Sequence, residues 1–121
     1  MPQTPQQRSG RQYEDLACKH LRKHGLKLLT RNYHCRRGEI DLIMRDKETL
    51  VFVEVRYRRQ ARYGSAGESV TWHKQQRLIA AAEHYLLHEF KTRPAARFDV
   101  IAINGAEGNI ELEWINNAFG T

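Results

Sequence analysis

Residues 38–59, GEIDLIMRDKETLVFVEVRYRR, decide the fold. Two apolar runs flank the short segment Asp46–Thr49, the pattern of two β-strands around a tight turn. Asp41 and Glu54 interrupt runs otherwise made of Ile, Leu, Met, Val and Phe. Strand interiors disfavour Asp, and a buried carboxylate is costly unless hydrogen bonds, a cation or a metal replace its lost hydration. Alternation assigns the faces. Leu50, Phe52, Glu54, Arg56 and Arg58 share one face of the later strand, and Val51, Val53, Val55 and Tyr57 the other. On the earlier strand Glu39, Asp41 and Ile43 share a face, opposite Ile40, Leu42 and Met44. A two-residue loop at Lys47–Glu48 would set Asp46 against Thr49 and Asp41 directly across from Glu54, with Cβ atoms about 4.5–5.5 Å apart. Lys-Glu is not a favoured hairpin dipeptide, and a slip by one residue would separate the two acids.

Outward from this hairpin the chain reads as α-β-β-β-α-β-β. Tyr13, Leu16, Ala17 and Leu21 recur at helical spacing from about Gly10 to His24, with Ser9 as an N-cap and Gly25 as a terminator. LKLLTRNYH makes the first strand, and Arg36, Arg37 and Gly38 a basic turn. After a long connection, a second helix runs from about Thr71 to Glu89, with the apolar stripe Trp72, Leu78, Ile79, Ala82, Tyr85 and Leu86. RFDVIAI and a short NIELEWI complete a five-stranded set. Two helices covering a mixed sheet, an α/β architecture, bury these faces most simply. Residues 1–9 read as a flexible polar arm and residues 10–121 as a single domain.

Composition narrows the function. Apolar residues make up 40% and charged residues 28%, as in a globular chain. No apolar run approaches the ~20 residues that span a bilayer, and MPQTPQQRSGRQ lacks the apolar core of a signal peptide. A cytoplasmic protein without a membrane partner is expected, with Cys18 and Cys35 as free thiols. The net charge is +6. All twenty Lys and Arg precede residue 98 and four of the fourteen acids follow it, which leaves +10 on residues 1–97. Such a basic body suits a polyanion, usually nucleic acid, held through phosphate neutralisation.

Two opposed carboxylates repel unless something positive lies between them. Each could take an arginine, since Arg45 and Arg56 are near in sequence, or the pair could hold a divalent cation. Mg²⁺ prefers oxygen ligands, a carboxylate or two completed by water and phosphate, and the Val55 backbone carbonyl offers another oxygen beside Glu54. Glu14 lies on the apolar side of the first helix, from which it could reach the same site. It could equally be a solvated first-turn acid favoured by the helix dipole.

The joint order of GEIDLI, LVFVEVRYR, WHKQQRL and RFDVIAI resembles the YraN family of small bacterial proteins over roughly Gly10 to Trp114. The resemblance implies a restriction-endonuclease-like fold similar to archaeal Holliday-junction resolvases. It also implies a DNA-directed, Mg²⁺- or Mn²⁺-dependent phosphodiester hydrolase and a homodimer. An Asp on one strand and E-x-K on the next cup the metal in such sites. Asp41 and Glu54 match these acids, and Glu14 matches a helix-borne acid of resolvase-type sites. Arg56 stands where the lysine usually stands. A guanidinium stays protonated and cannot act as a general base, but it can clamp a phosphate and stabilise developing charge. Lys74 could supply a displaced ammonium or be an ordinary exposed helix lysine. A working nuclease with an arginine variant and a non-catalytic nucleic-acid-binding module with a degenerate site both remain open, as does a purely structural ion-pair role for the acids.

RYRRQARYGSAG interleaves Arg56, Arg58, Arg59 and Arg62 with Tyr57 and Tyr63, a composition suited to phosphate contact and base stacking. Alternation, however, would also allow Tyr57 a place in the core. Arg36 and Arg37 could extend the same patch. The six histidines and two cysteines do not form paired ligand spacings, so zinc is not expected. Trp72, Phe90 and Trp114 read as core or edge packing.

Overall fold

The structure, a computed structural model, describes residues 5–58, 70–106 and 108–120. Helix α1 (Pro5–Lys23) opens with a proline, whose fixed φ suits a first helical position. The helix therefore starts five residues before the expected Gly10. Ser9 lies inside it instead of capping it, and part of the polar arm is helical. Its end follows the expected glycine. Gly25 takes φ +94, while Gly25 N donates to Arg22 O and Leu26 N to Leu21 O at 3.0 and 3.1 Å. These are the two bonds of a Schellman cap, and Leu21 and Leu26 share one apolar cluster.

Five strands follow the expected order, β1 (Lys27–Cys35), β2 (Gly38–Asp46), β3 (Thr49–Arg58), β4 (Ala96–Ala106) and β5 (Asn109–Phe119), with α2 (Trp72–Glu89) between β3 and β4. They form one mixed sheet in the spatial order β1-β2-β3-β4-β5. Only the β3–β4 pair is parallel, and α2 belongs to the crossover that a parallel pair requires. The fifth strand is longer than the predicted NIELEWI, because Phe98 still pairs with Phe119 beyond a bulge. Among the described residues no helix is long and apolar enough to cross a membrane.

The sheet separates two apolar layers. Under α1 lie Leu42, Met44, Val51, Val53, Ile101 and Ile103 with Ala17 and Leu21. Under α2 lie Ile43, Leu50, Phe52 and Val100 with Leu78, Ala82 and Leu86. The β3 faces are thus as alternation assigns them. On β2 the alternation fails at one place: Ile40 joins the α2 layer instead of siding with Leu42 and Met44. The strand reorients at Asp41.

Thr71 caps α2 by accepting the Lys74 amide at 3.2 Å. Trp72, the first residue of the helix, does not belong to the buried stripe, since 72% of it is exposed. Where α2 crosses the β1–β2 turn, Gly38 lies against backbone. A Cβ there would sit 2.3 Å from Arg77 O. Gly38→Ala is therefore expected to destabilise the fold by about 1–3 kcal/mol, read as a lower denaturant midpoint at unchanged slope.

One buried acid contributes to the frame. Asp99, which the sequence marks only as one of the acids after Arg97, is fully buried. It accepts from Trp114 Nε1 at 3.0 Å and Asn117 N at 2.8 Å. It also receives Arg97 Nε at 3.1 Å, and that guanidinium reaches Asp46 Oδ2 at 3.1 Å. Its carboxylate is saturated with donors, so its burial is compensated.

Candidate functional site

The β2–β3 hairpin has the expected two-residue loop. Asp46 pairs with Thr49, and the register runs through Arg45–Leu50, Met44–Val51 and Ile43–Phe52 to Leu42–Val53. Lys47 takes φ 57, a positive value at the first central position, as in the II′ turns that suit hairpins despite an unfavoured residue. Pairing ends one step before Asp41 and Glu54 would face each other. Asp41 Oδ2 instead accepts the Val55 amide at 2.8 Å. A side chain has replaced the backbone acceptor, so the strands part there. The N–H and C=O of one strand residue point to the same side, which aims the Val55 carbonyl into the same opening.

A cleft of about 240 Å³ occupies this opening, lined by Gly10, Tyr13, Glu14, Asp41, Glu54, Val55, Arg56, Tyr57 and Lys74. Each element contributes what its face dictates. Glu54 and Arg56 project to the α2 side of β3. Glu54 is 4% exposed, and Lys74 Nζ lies 3.4 Å from its Oε1. Lys74 is thus part of the site and not simply a solvated helix lysine. Among the described residues neither Arg45 nor Arg56 lies within ion-pair distance of Asp41 or Glu54, although the Arg56 charge still favours the ionised form of both acids.

Burial pushes the Glu54 carboxyl up to about 7, the charge of Asp41 adds to the rise, and Lys74 and Arg56 oppose it. Asp41 is also raised by burial, against the pull of the Val55 amide and of Lys74. The two acids compete for one deficit of positive charge, and they titrate as a pair. Glu14 is not a first-turn acid, because α1 begins at Pro5. Its side chain is only 15% exposed, and burial together with Asp41 raises its pKa. Its Oε1 lies 3.8 Å from Arg31 Nη2, beyond hydrogen-bond reach, and neither atom has a hydrogen-bond partner among the described residues. Arg31 is held by Asp15 at 2.7 Å.

The donor set suits a hard cation. It offers two buried carboxyl groups, a backbone carbonyl facing the same gap, and an orphaned acid oxygen of Glu14. Among the described residues no group of three or more His, Cys, Asp or Glu side chains is placed to hold a metal ion by itself. Water and phosphate would have to complete the shell, as Mg²⁺ commonly requires. Arg56 Nε is buried in the wall without a hydrogen-bond partner among the described residues, a donor beside the acids.

Of the expected basic residues, Arg36 and Arg37 are exposed in the β1–β2 turn, next to Gly38 and therefore beside Arg77 of α2. Arg58 donates from Nε to Asn104 Oδ1 at 2.9 Å. Arg59, Arg62 and Tyr63 lie outside the described residues. Tyr57 is not core: it is 40% exposed. Its ring stacks on Tyr13 with centroids 4.2 Å apart and planes 6° from parallel. Its hydroxyl donates to Gly105 O at 2.8 Å. Four histidines that stand four residues apart on the two helices pack on aromatic rings: His20 and His24 lie edge-on to Trp114, and His84 stacks on His88.

The sequence model of the uncharacterised protein family UPF0102 matches residues 13–103. A UPF0102 protein of Nitrosococcus oceani is 54% identical over 112 residues, covering 91% of this chain and 90% of its own. One from Nitrosospira multiformis is 54% identical over 110 residues, 91% of each chain. One from Pseudomonas fluorescens is 48% identical over 121 residues, 98% of each chain. Matched by the family model over most of its length and by these relatives over nine-tenths of it or more, the chain belongs to the UPF0102 family.

Proposed function

We propose that this cleft hydrolyses phosphodiester bonds in DNA with Mg²⁺ or Mn²⁺, on a restriction-endonuclease-like scaffold that takes branched or damaged strands. The supporting observation is the buried pair Asp41 and Glu54, held where β2 and β3 part and facing a single close ammonium, Lys74. Burial of two acids with so little compensation is costly for a fold, and it is the arrangement a divalent cation would relieve. Asp41, Glu54 and the Val55 carbonyl would hold the cation, with Glu14 at the rim. When bound, the cation supplies charge neutralisation and a lowered pKa for water.

The protein's own groups do the rest. Lys74 brings from α2 the ammonium that the E-x-K pattern puts on the strand, and Arg56 takes the lysine's place on β3. An ammonium of this kind orients a water molecule through its hydrogen bonds. The Arg56 guanidinium, with its buried unpaired Nε, stabilises charge growing on the phosphoryl oxygens. Water adds to phosphorus as the opposite P–O ester bond breaks, which leaves a phosphate monoester and a hydroxyl. Arg36, Arg37 and Arg58 would carry flanking phosphates, joined by Arg59 and Arg62.

The test is cleavage of duplex, single-stranded and four-way-junction DNA with Mg²⁺ or Mn²⁺. Lys74→Ala is expected to lower the single-turnover rate by about 10²-fold while salt-dependent binding persists. Binding without cleavage in the wild type, with cleavage gained in Arg56→Lys, would replace the reading with that of a degenerate, non-catalytic binding module. Absence of binding at low salt would overturn both.

A further inference from the structure

From the α1 side of the cleft the chemistry above uses only Glu14. We infer that the stacked Tyr13–Tyr57 pair is a nucleobase platform, so that the cleft accepts an unpaired nucleotide in preference to one stacked within a duplex. This rests on the reading of the cleft as a phosphodiester site, and it adds the form of the substrate.

Three features carry it. First, Tyr57 is a β3 residue one position past Arg56, and strand alternation turns it to the face opposite Glu54 and Arg56. A phosphate at the acids would thus have an aromatic surface within one nucleotide's reach. Second, the ring is fixed before any ligand arrives. Its hydroxyl is bonded to Gly105 O, one face is stacked at 4.2 Å on Tyr13, and 40% of the residue remains open. A rigid, partly exposed aromatic loses little entropy when a base stacks on it. Third, the space beside it is kept clear. Gly10 lines the same cleft one turn before Tyr13, and a Cβ added there would meet nothing within 4 Å. Glycine inside a helix costs about 1 kcal/mol relative to alanine, so the open space comes at a penalty to α1. A base inside a duplex is covered on both faces by its neighbours, whereas an unpaired one can be seated here.

The experiment uses the full chain in EDTA at low salt, so that cleavage does not intervene. The probes are a single-stranded DNA oligonucleotide carrying 2-aminopurine, an RNA oligonucleotide of the same sequence, and the fully paired DNA duplex. Quenching of 2-aminopurine reports stacking directly. Wild type is expected to quench a single strand, and Tyr57→Ala to weaken that binding by about 10-fold or more while duplex affinity stays within about twofold. Tyr57→Phe keeps the ring but loses its bond to Gly105 O, and is expected to retain quenching with an affinity between those of wild type and Tyr57→Ala. Quenching of the DNA strand, the RNA strand or both supports the platform and identifies the strand chemistry it takes. Because Tyr57→Ala also loosens α1, Gly10→Leu is the second variant. It fills the open space without removing a packed ring, and should reduce quenching while Gly10→Ala does not. Unquenched 2-aminopurine in a bound strand, or equal losses on single strand and duplex, would overturn the platform and leave the phosphodiester reading intact. Failure of the wild type to bind any of the three probes would remove the underlying reading itself.

Discussion

Asp41→Asn will leave the fold in place and lower phosphodiester cleavage by roughly 10²–10³-fold. The two halves of this expectation come from separate atoms. The amide oxygen of asparagine can still accept the Val55 N–H that Asp41 Oδ2 now holds at 2.8 Å, so the parting of β2 from β3 survives. What disappears is the negative charge. Asp41→Ala differs, because the Val55 amide then loses its acceptor in a part-buried position, adding about 1–3 kcal/mol of destabilisation. Single-turnover kinetics and denaturant unfolding on both variants separate the effects. Cleavage that persists in Asp41→Asn at wild-type rates would exclude this carboxylate from the chemistry.

The second large effect is on stability against pH. The Glu54 carboxyl rises from 4.5 to about 7 on folding. Below pH 4.5 folded and unfolded chains both hold this proton. Between 4.5 and 7 the unfolded chain ionises while the folded chain keeps the proton. The cation-free protein should therefore lose stability as pH rises through that window, by roughly 3 kcal/mol in all, and should not regain it above 7. The rise at Asp41 acts in the same direction. Glu54→Gln removes the titration, so at pH 8 its melting temperature should exceed that of wild type by about 10–15 °C, and the gap should close toward pH 4.5. Mg²⁺ or Mn²⁺ should stabilise wild type increasingly as pH passes 7, when the acids are free to bind, and should do little for Glu54→Gln. Calorimetric melts across pH 4.5–8 decide the matter; a wild type whose melting curve parallels that of Glu54→Gln would show that Glu54 does not carry the proton.

The fold was legible in the sequence to the extent that one face of each element was apolar. Alternation along Leu50–Tyr57 assigned the β3 faces as found, and the turn at Lys47–Glu48 set a register that holds from Asp46–Thr49 to Leu42–Val53. The same logic stopped at Asp41. Pairing rules treat a strand as a continuous ladder, and they cannot foresee a carboxylate that competes with backbone carbonyls for a backbone N–H. That single bond explains why Asp41 and Glu54 share a cleft without being cross-strand partners, and why Ile40 sits in the α2 layer. Lys74 and Glu14 were legible as candidates only. Each needed a tertiary position, the first turn of α2 over β3 and the second half of α1 over Arg31, which local pattern does not supply. Tyr57 and Trp72 were placed in or near the core by pattern. One lies at the end of β3, stacked on Tyr13 outside the apolar clusters, and the other is the first residue of α2. Asp99 carried no usable signal, because its donors Trp114 and Asn117 come from a strand fifteen or more residues away.

The bond from the Val55 amide to Asp41 has a spectroscopic use. An amide proton held by a carboxylate shifts when that carboxylate gains a proton or shares its charge with a cation, and Val55 is a single, unambiguous backbone resonance. Its nitrogen–proton correlation peak would record the ionisation of the cleft and the arrival of a divalent ion in unlabelled-ligand titrations. No substrate, dye or engineered probe would be required. The position at which the sheet comes apart is thus also the position from which its electrostatic state can be read in solution.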